Sequence, residues 1–207
     1  MKKLLVLLLA IACMAGCSST PKKPAEQEKP KPQEPDLLTG RVAFQQLYIA
    51  ARGWARDAQP YRLESTPNAD SKGHDGKSAI WRAGFASQVR RGTKPYVWSG
   101  TNAQDAPSRG VNPGTEDTYN PSNASTTVFD IGFLKMDSDK AFEIAQQHGG
   151  EKILQKSPDT AVLYILEWTR VENALIWHVI YGNSRDDAKL KIAINATTGE
   201  FIRVEKS

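Results

Sequence analysis

The sequence predicts an α+β fold, with helices packed on antiparallel sheet in two tandem helix-then-sheet units that follow a linker. Three observations predict it. Apolar residues recur at helical spacing at Phe44, Leu47, Tyr48, Ala51 and Trp54, and again at Ala141, Phe142, Ile144 and Ala145. Apolar segments near strand length fill the C-terminal third, alternating with the two-residue period of a half-buried sheet at Val162, Tyr164, Leu166 and Trp168. One short segment also occurs twice: Ala79-Ile80-Trp81-Arg82-Ala83-Gly84-Phe85 lines up with Leu175-Ile176-Trp177-His178-Val179-Ile180-Tyr181.

The chain begins with Lys2 and Lys3, an unbroken apolar run from Leu4 to Ala12, and the small residues Ala15 and Gly16 before Cys17. A basic start, an apolar centre of about 7–15 residues and small residues at the cut make a secretory signal. The run is too short to cross a bilayer core, which takes about 20 apolar residues. Met14-Ala15-Gly16-Cys17 resembles the lipobox of bacterial lipoproteins, with Met14 where that family usually has Leu. The resemblance implies cleavage before Cys17 and diacylation of its sulfur, so Cys17 is the expected lipidation site and its acyl chains the membrane contact. Cys13 is a rival acceptor but lies inside the apolar run. Ser18, rather than Asp, follows the cysteine. In enterobacteria this implies the outer membrane, lipid-anchored on its periplasmic face, or the cell membrane where the host has no outer one.

Residues 1–16 are thus expected to be a signal peptide and 17–38 a lipidated linker. Pro21, Pro24, Pro30, Pro32 and Pro35 stand among Lys, Glu, Gln and Ser with almost nothing apolar. Such a segment cannot offset its ordering entropy by burial, and proline favours an extended spacer at about 3.1 Å per residue. Removing residues 1–16 takes away Lys2 and Lys3 and no acid, so the net charge falls from +4 to +2. That balance, without a dense basic patch, excludes nucleic acid as the expected partner. Both cysteines lie in the signal region, so the folded part has no disulfide, cysteine nucleophile or thiolate metal site.

The first unit, 39–135, is expected to open with a helix from Arg41 to about Arg56, with Thr39 as its cap. Apolar segments at Tyr61–Glu64, Ala79–Gln88 and Pro95–Trp98 follow, with a loop over Pro67–Gly76 that turns at Asp75-Gly76. Ser99 to Thr127 is a long polar stretch; loops of this length inside a domain are usually functional or disordered. Val128–Leu134 is expected to be a strand.

The second unit, 136–207, is expected to hold a helix from Asp137 or Ser138 that stops at Gly149-Gly150. Strands at Thr160–Thr169, Ala174–Gly182, Ala188–Asn195 and Glu200–Glu205 follow, the last two joined by a tight turn ending at Gly199. Two of these strands are apolar on both faces, so a second cover is expected besides the helix, either the first unit or a partner protein. The helix with Ala141 and Ala145 ending at Gly149, the segment Trp177-His178-Val179, and Ile192 to Phe201 resemble a PepSY-type domain, a small helix-plus-sheet module of bacterial envelope proteins. Asn195 stands where that family usually has Asp. The resemblance implies peptidase inhibition or protein binding rather than catalysis.

Candidates for chemistry are few. His74, His148 and His178 are the only histidines. His178 is expected to face solvent or to be hydrogen-bonded in its strand, and His148 to complement a helix C-terminus. Gly76-Lys77-Ser78 has the end of a phosphate loop, but Ser71 replaces the required Gly and the loop leads into a strand. Asp70, His74 and Asp75 fit a hydrated turn better than a metal site. No catalytic, cofactor or metal site is therefore expected. Trp98 and Tyr119, at or inside the polar stretch, are the expected exposed binding surface, since Trp and Tyr concentrate at recognition sites. The expectation is a non-enzymatic, membrane-tethered module that binds an envelope protein or peptide. Two alternatives remain: an envelope hydrolase with its site in 99–127, using Asp105, Glu116 and Asp117, or a structural spacer.

Overall fold

The structure, a computed structural model, describes residues 33–205. A short strand β1 (Leu38–Thr39) leads into helix α1 (Gly40–Trp54). Ala43, Phe44, Leu47 and Ala51 are the buried side of α1, as the 3.6-residue spacing requires. Strands β2 (Gln59–Ser65), β3 (Lys77–Ser78), β4 (Ile80–Ser87) and β5 (Gly92–Ser99) follow. The long polar stretch then adds two short strands, β6 (Gly110–Pro113) and β7 (Asp117–Thr118), both paired with β5. Helix α2 (Ser138–Ala145) is continued by α3 (Glu151–Lys156). Strands β8 (Val162–Thr169), β9 (Ala174–Tyr181), β10 (Leu190–Asn195) and β11 (Phe201–Glu205) complete the fold.

All but β1 and β3 join one antiparallel sheet in the order β11-β10-β9-β8-β2-β4-β5-β6, with β7 also on β5. The class is α+β. The segments 39–135 and 136–207 meet edge to edge, where β2 pairs with β8 through Arg62↔Glu167, Leu63↔Leu166 and Glu64↔Ile165. Both helical segments lie on the same face, and one core cluster runs under them from Tyr96 and Trp98 to Ile192 and Ile194.

The two halves are related about the β2–β8 seam. Trp81 of β4 and Trp177 of β9 are fully buried and meet edge to face, with centroids 6.5 Å apart. Each indole donates to a carbonyl two residues before a helix: Trp81 to Leu38 (2.8 Å) and Trp177 to Met136 (3.0 Å). The N-termini of α1 and α2 therefore come together. Asp137 serves both, accepting from the backbone N–H of Arg41 (2.8 Å) and of Ser138 (2.7 Å), while Ser138 Oγ accepts from Gly40 N (2.7 Å). One carboxylate thus answers two positive helix ends. Gly40 is required at this crossing, because a Cβ there would lie 2.7 Å from the Trp177 ring.

Several expectations are corrected. Val128–Leu134 forms no strand: single 3₁₀ turns occupy Ala124–Thr126 and Ile131–Phe133. Asp130 accepts from Gly132 N (2.6 Å), a local bond that competes with sheet pairing, and Phe129 and Leu134 drop separately into the core. Gly149-Gly150 kinks the second helix without ending it, with φ +114° at Gly149, and α3 resumes at Glu151. Thr39 precedes α1, but its hydroxyl donates to Asp137 rather than capping its own helix. The first unit does not cover the second face of the β8–β9 region; it extends the same sheet sideways.

Candidate functional site

Covering the sheet on one face leaves the other without helices. Alternation sends Leu63, Trp81, Ala83, Phe85, Leu166 and Trp177 to the helical core, so their neighbours Arg62, Glu64, Arg82, Gly84, Ile165, Glu167 and His178 point to the helix-free face. The register sets Arg82, Glu64, Ile165 and His178 in one row across β4, β2, β8 and β9. The neighbouring row holds Gly84, Arg62, Glu167 and Ile176.

These side chains form a chain of ion pairs. Arg62 Nε lies 2.7 Å from Glu64 and its Nη1 3.0 Å from Glu167. Arg185, on the β9–β10 loop, also reaches Glu167. His178 is 4% exposed, and its Nδ1 donates to Glu205 at 3.1 Å. Its Nε2 lies 3.5 Å from Glu167 Oε1 and makes no hydrogen bond. Arg203 continues the chain to Glu205 (3.1 Å) and Glu172. The hydrogen bond from His178 holds Glu205 below the usual carboxylate range, against the desolvation that raises it. Long polar side chains lying on a strand surface shield its apolar residues, and Ile176 in their midst is buried. At one end, the loop after β9 packs Ala188 over Leu163, Ile165 and Ile180.

Strands β2 and β4, beside the seam, carry a depression of about 280 Å³ lined by Tyr61, Arg62, Glu64, Arg82 and Gly84. Pairing of β2 with β4 slips between Pro60 and Arg62, so Tyr61 is an extra residue at a bulge. Its ring lies on Gly84, where a Cβ would be 2.2 Å from Tyr61 Cζ. Burial pushes the Tyr61 hydroxyl up in pKa, while Arg82 and Arg62 pull it down.

The expected site residues stand elsewhere. Cys17 lies outside the described residues. Trp98 and Tyr119 are not an exposed surface: they are 5% and 9% exposed. Trp98 belongs to the helical core, against Gly100, and Tyr119 is held by its N–H on Arg91 O (2.9 Å). Asp105 sits in an exposed turn. Glu116 accepts from Trp54 Nε1 (2.9 Å) and pairs with Arg90 (3.3 Å), which together hold its pKa down, and Asp117 accepts from Thr118 N. Asp70, His74 and Asp75 engage Thr101, the Thr160 carbonyl and Lys77 respectively. Among the described residues no group of His, Cys, Asp and Glu could hold a metal, and no helix is long and apolar enough to cross a membrane. His148 stacks flat on Phe201 at 3.7 Å, a role in packing that helical position alone did not show.

Sequence reasoning missed the helix-free face because its residues are scattered from 61 to 205. One signal was present: Arg82 occupies the position of His178 in the repeated segment. Against known proteins, no family model and no curated protein matches the chain. Its fold is similar to the crystal structure of a putative lipoprotein from Clostridium difficile 630, at TM-score 0.54 and 12% identity, over 80% of this chain and 93% of that one.

Proposed function

We propose that the chain is an envelope lipoprotein, tethered to the outer membrane through acylated Cys17, whose PepSY-like domain binds a protein or peptide on the helix-free face of its sheet. The observation that carries the binding reading is that face itself: rows of Arg, Glu and His side chains on a continuous sheet, with no helix over them. Ordered charges on a rigid strand scaffold give specificity for a complementary surface. The tether reading is supported by the signal layout ending in Met14-Ala15-Gly16-Cys17, and by a fold similar to that of the putative lipoprotein from Clostridium difficile 630.

Two measurements test it. Cys17→Ser is expected to abolish palmitate incorporation and leave the precursor uncleaved; palmitate retained in that variant would move the acceptor to Cys13. Fractionation is expected to find the protein in the outer membrane, and recovery in the inner membrane would reject that placement. For binding, the full-length protein is crosslinked in intact cells. Charge reversal by Arg62→Glu with Glu167→Lys is expected to lose the crosslinked partner. Unchanged crosslinking would reject the face as the binding surface, and no specific crosslink at all would favour a structural spacer.

A further inference from the structure

Most charges around the β2–β8 seam on the helix-free face are paired. Glu64 and Glu167 pair with Arg62 and Arg185, Glu172 and Glu205 with Arg203, and Glu205 also accepts from His178. Arg82, in the same row as Glu64, joins none of these pairs. It stands directly across from Glu64 in the β2–β4 register, where a cross-strand ion pair is the ordinary outcome, yet Glu64 turns to Arg62. Arg82 is exposed and makes no hydrogen bond or ion pair among the described residues.

The surroundings of Arg82 are built rather than incidental. The bulge at Tyr61 aims an aromatic ring onto the strand surface, and Gly84 in mid-strand clears the space for it. Both features cost sheet stability on their own. Together with Arg62, Arg82 and Glu64 they line the depression of about 280 Å³, and Glu64 is there neutralised by Arg62, which leaves the Arg82 charge uncompensated. The Tyr61 hydroxyl makes no hydrogen bond among the described residues, so it is a free donor beside a free guanidinium. Val97, paired with Arg82, and Pro95, paired with Gly84, are half-buried and give the site an apolar rim. A planar guanidinium matches a carboxylate through two parallel hydrogen bonds.

We propose that Tyr61, Arg62 and Arg82 form a carboxylate-binding pocket that takes a Glu or Asp side chain from an acidic segment of a protein partner. This rests on the helix-free face being the binding surface. A peptide suits the site better than an acidic glycan, because the rim beside the cation is apolar and a peptide carries methylene groups next to its carboxylate.

The test uses the full-length lipidated protein in detergent, with three probes: a capped tetraglutamate peptide, its tetraglutamine counterpart and an oligogalacturonate. Tetraglutamate is expected to protect Arg82 from phenylglyoxal, read by mass spectrometry, and the other two are not. Loss of a charged hydrogen-bond partner weakens binding by about tenfold or more, which is the drop expected by calorimetry for Arg82→Gln. Tyr61→Phe should weaken it less, and Lys152→Gln, on α3 over the opposite face of the sheet, not at all. The pocket is overturned if tetraglutamate leaves Arg82 unprotected, if tetraglutamine protects equally, if oligogalacturonate alone protects, or if Arg82→Gln binds as the parent does. In-cell crosslinking separates the two readings. A partner lost on Arg62→Glu with Glu167→Lys but kept undiminished by Arg82→Gln rejects the pocket alone. A partner kept by all variants rejects the face.

Discussion

The two faces of the sheet are built from the same strands and hold together by different physics. On the helical face, Trp81 and Trp177 are fully buried in the core, and each of these two indoles donates to one carbonyl. On the helix-free face, the corresponding positions one residue along, Arg82 and His178, are polar, and contacts there are hydrogen bonds and ion pairs with partly exposed members. Packing is short-ranged and worth several kcal/mol per large residue, whereas exposed ion pairs contribute about 0–1 kcal/mol. The first face specifies the fold. The second adds little to it and is free to specify a partner.

The sharpest way to break this comparison is to truncate equivalent positions on the two faces. Trp177→Ala removes a fully buried indole at the seam, and large-to-small changes of this kind cost about 3–5 kcal/mol. Trp81→Ala is expected to cost about as much. A urea midpoint that moves little in either variant would show that the seam is not the common core. The next largest effect is at Asp137. One helix cap typically contributes about 1 kcal/mol, and Asp137 serves two helices, so Asp137→Ala should lose roughly 2 kcal/mol. A loss no larger than that of a single cap would mean that α1 and α2 are stabilised separately.

Charge removal on the other face should give the opposite balance. Arg62→Met is expected to change stability by no more than about 1 kcal/mol, since its pairs with Glu64 and Glu167 are partly exposed. It should nevertheless impair partner capture. A large stability loss with capture intact would reverse the roles assigned to the two faces.

How much of this was legible in the sequence follows from the same contrast. Elements whose signal is periodic were readable: α1 from Phe44, Leu47 and Ala51, β8 from Val162, Tyr164 and Leu166, and the Gly199 turn, which takes φ +80°. The Trp81–Trp177 repeat hinted at two related halves, but nothing local says that they join through β2 and β8 as one sheet. That depends on which strand edges find each other. Val128–Leu134 misled because its apolar residues are spent singly, Phe129 in the core and Phe133 against Trp168, rather than along a strand. Trp98 and Tyr119 misled because their position beside polar sequence says nothing about what folds over them. The helix-free face was illegible for the same reason: Arg62, Arg82, Glu167 and Glu205 are adjacent only after long-range register is set.

The smallest effect expected is a pH dependence that separates the faces. Glu205 is held below the usual carboxylate range chiefly by the hydrogen bond from His178, with Arg203 and Arg185 adding to it. Its folded pKa is depressed, so the stability it contributes is present above its unfolded value, about 4.3. That contribution is lost as pH falls through the folded value. Asp57, outside this face, is lowered too, first by the Val89 N–H and then by the Ser87 hydroxyl. Both carboxyls should therefore steepen acid destabilisation below about pH 4. The Glu205→Gln variant should show a shallower fall in urea midpoint between pH 5 and pH 3 than the parent, and near-parental stability at pH 7. Asp57→Asn provides the comparison, because it removes a depressed carboxyl without touching the helix-free face. If the acid fall is unchanged in Glu205→Gln and shallower only in Asp57→Asn, the His178–Glu205 contact contributes nothing to the fold, and the charged row is coupled to stability even less than its ion pairs suggest.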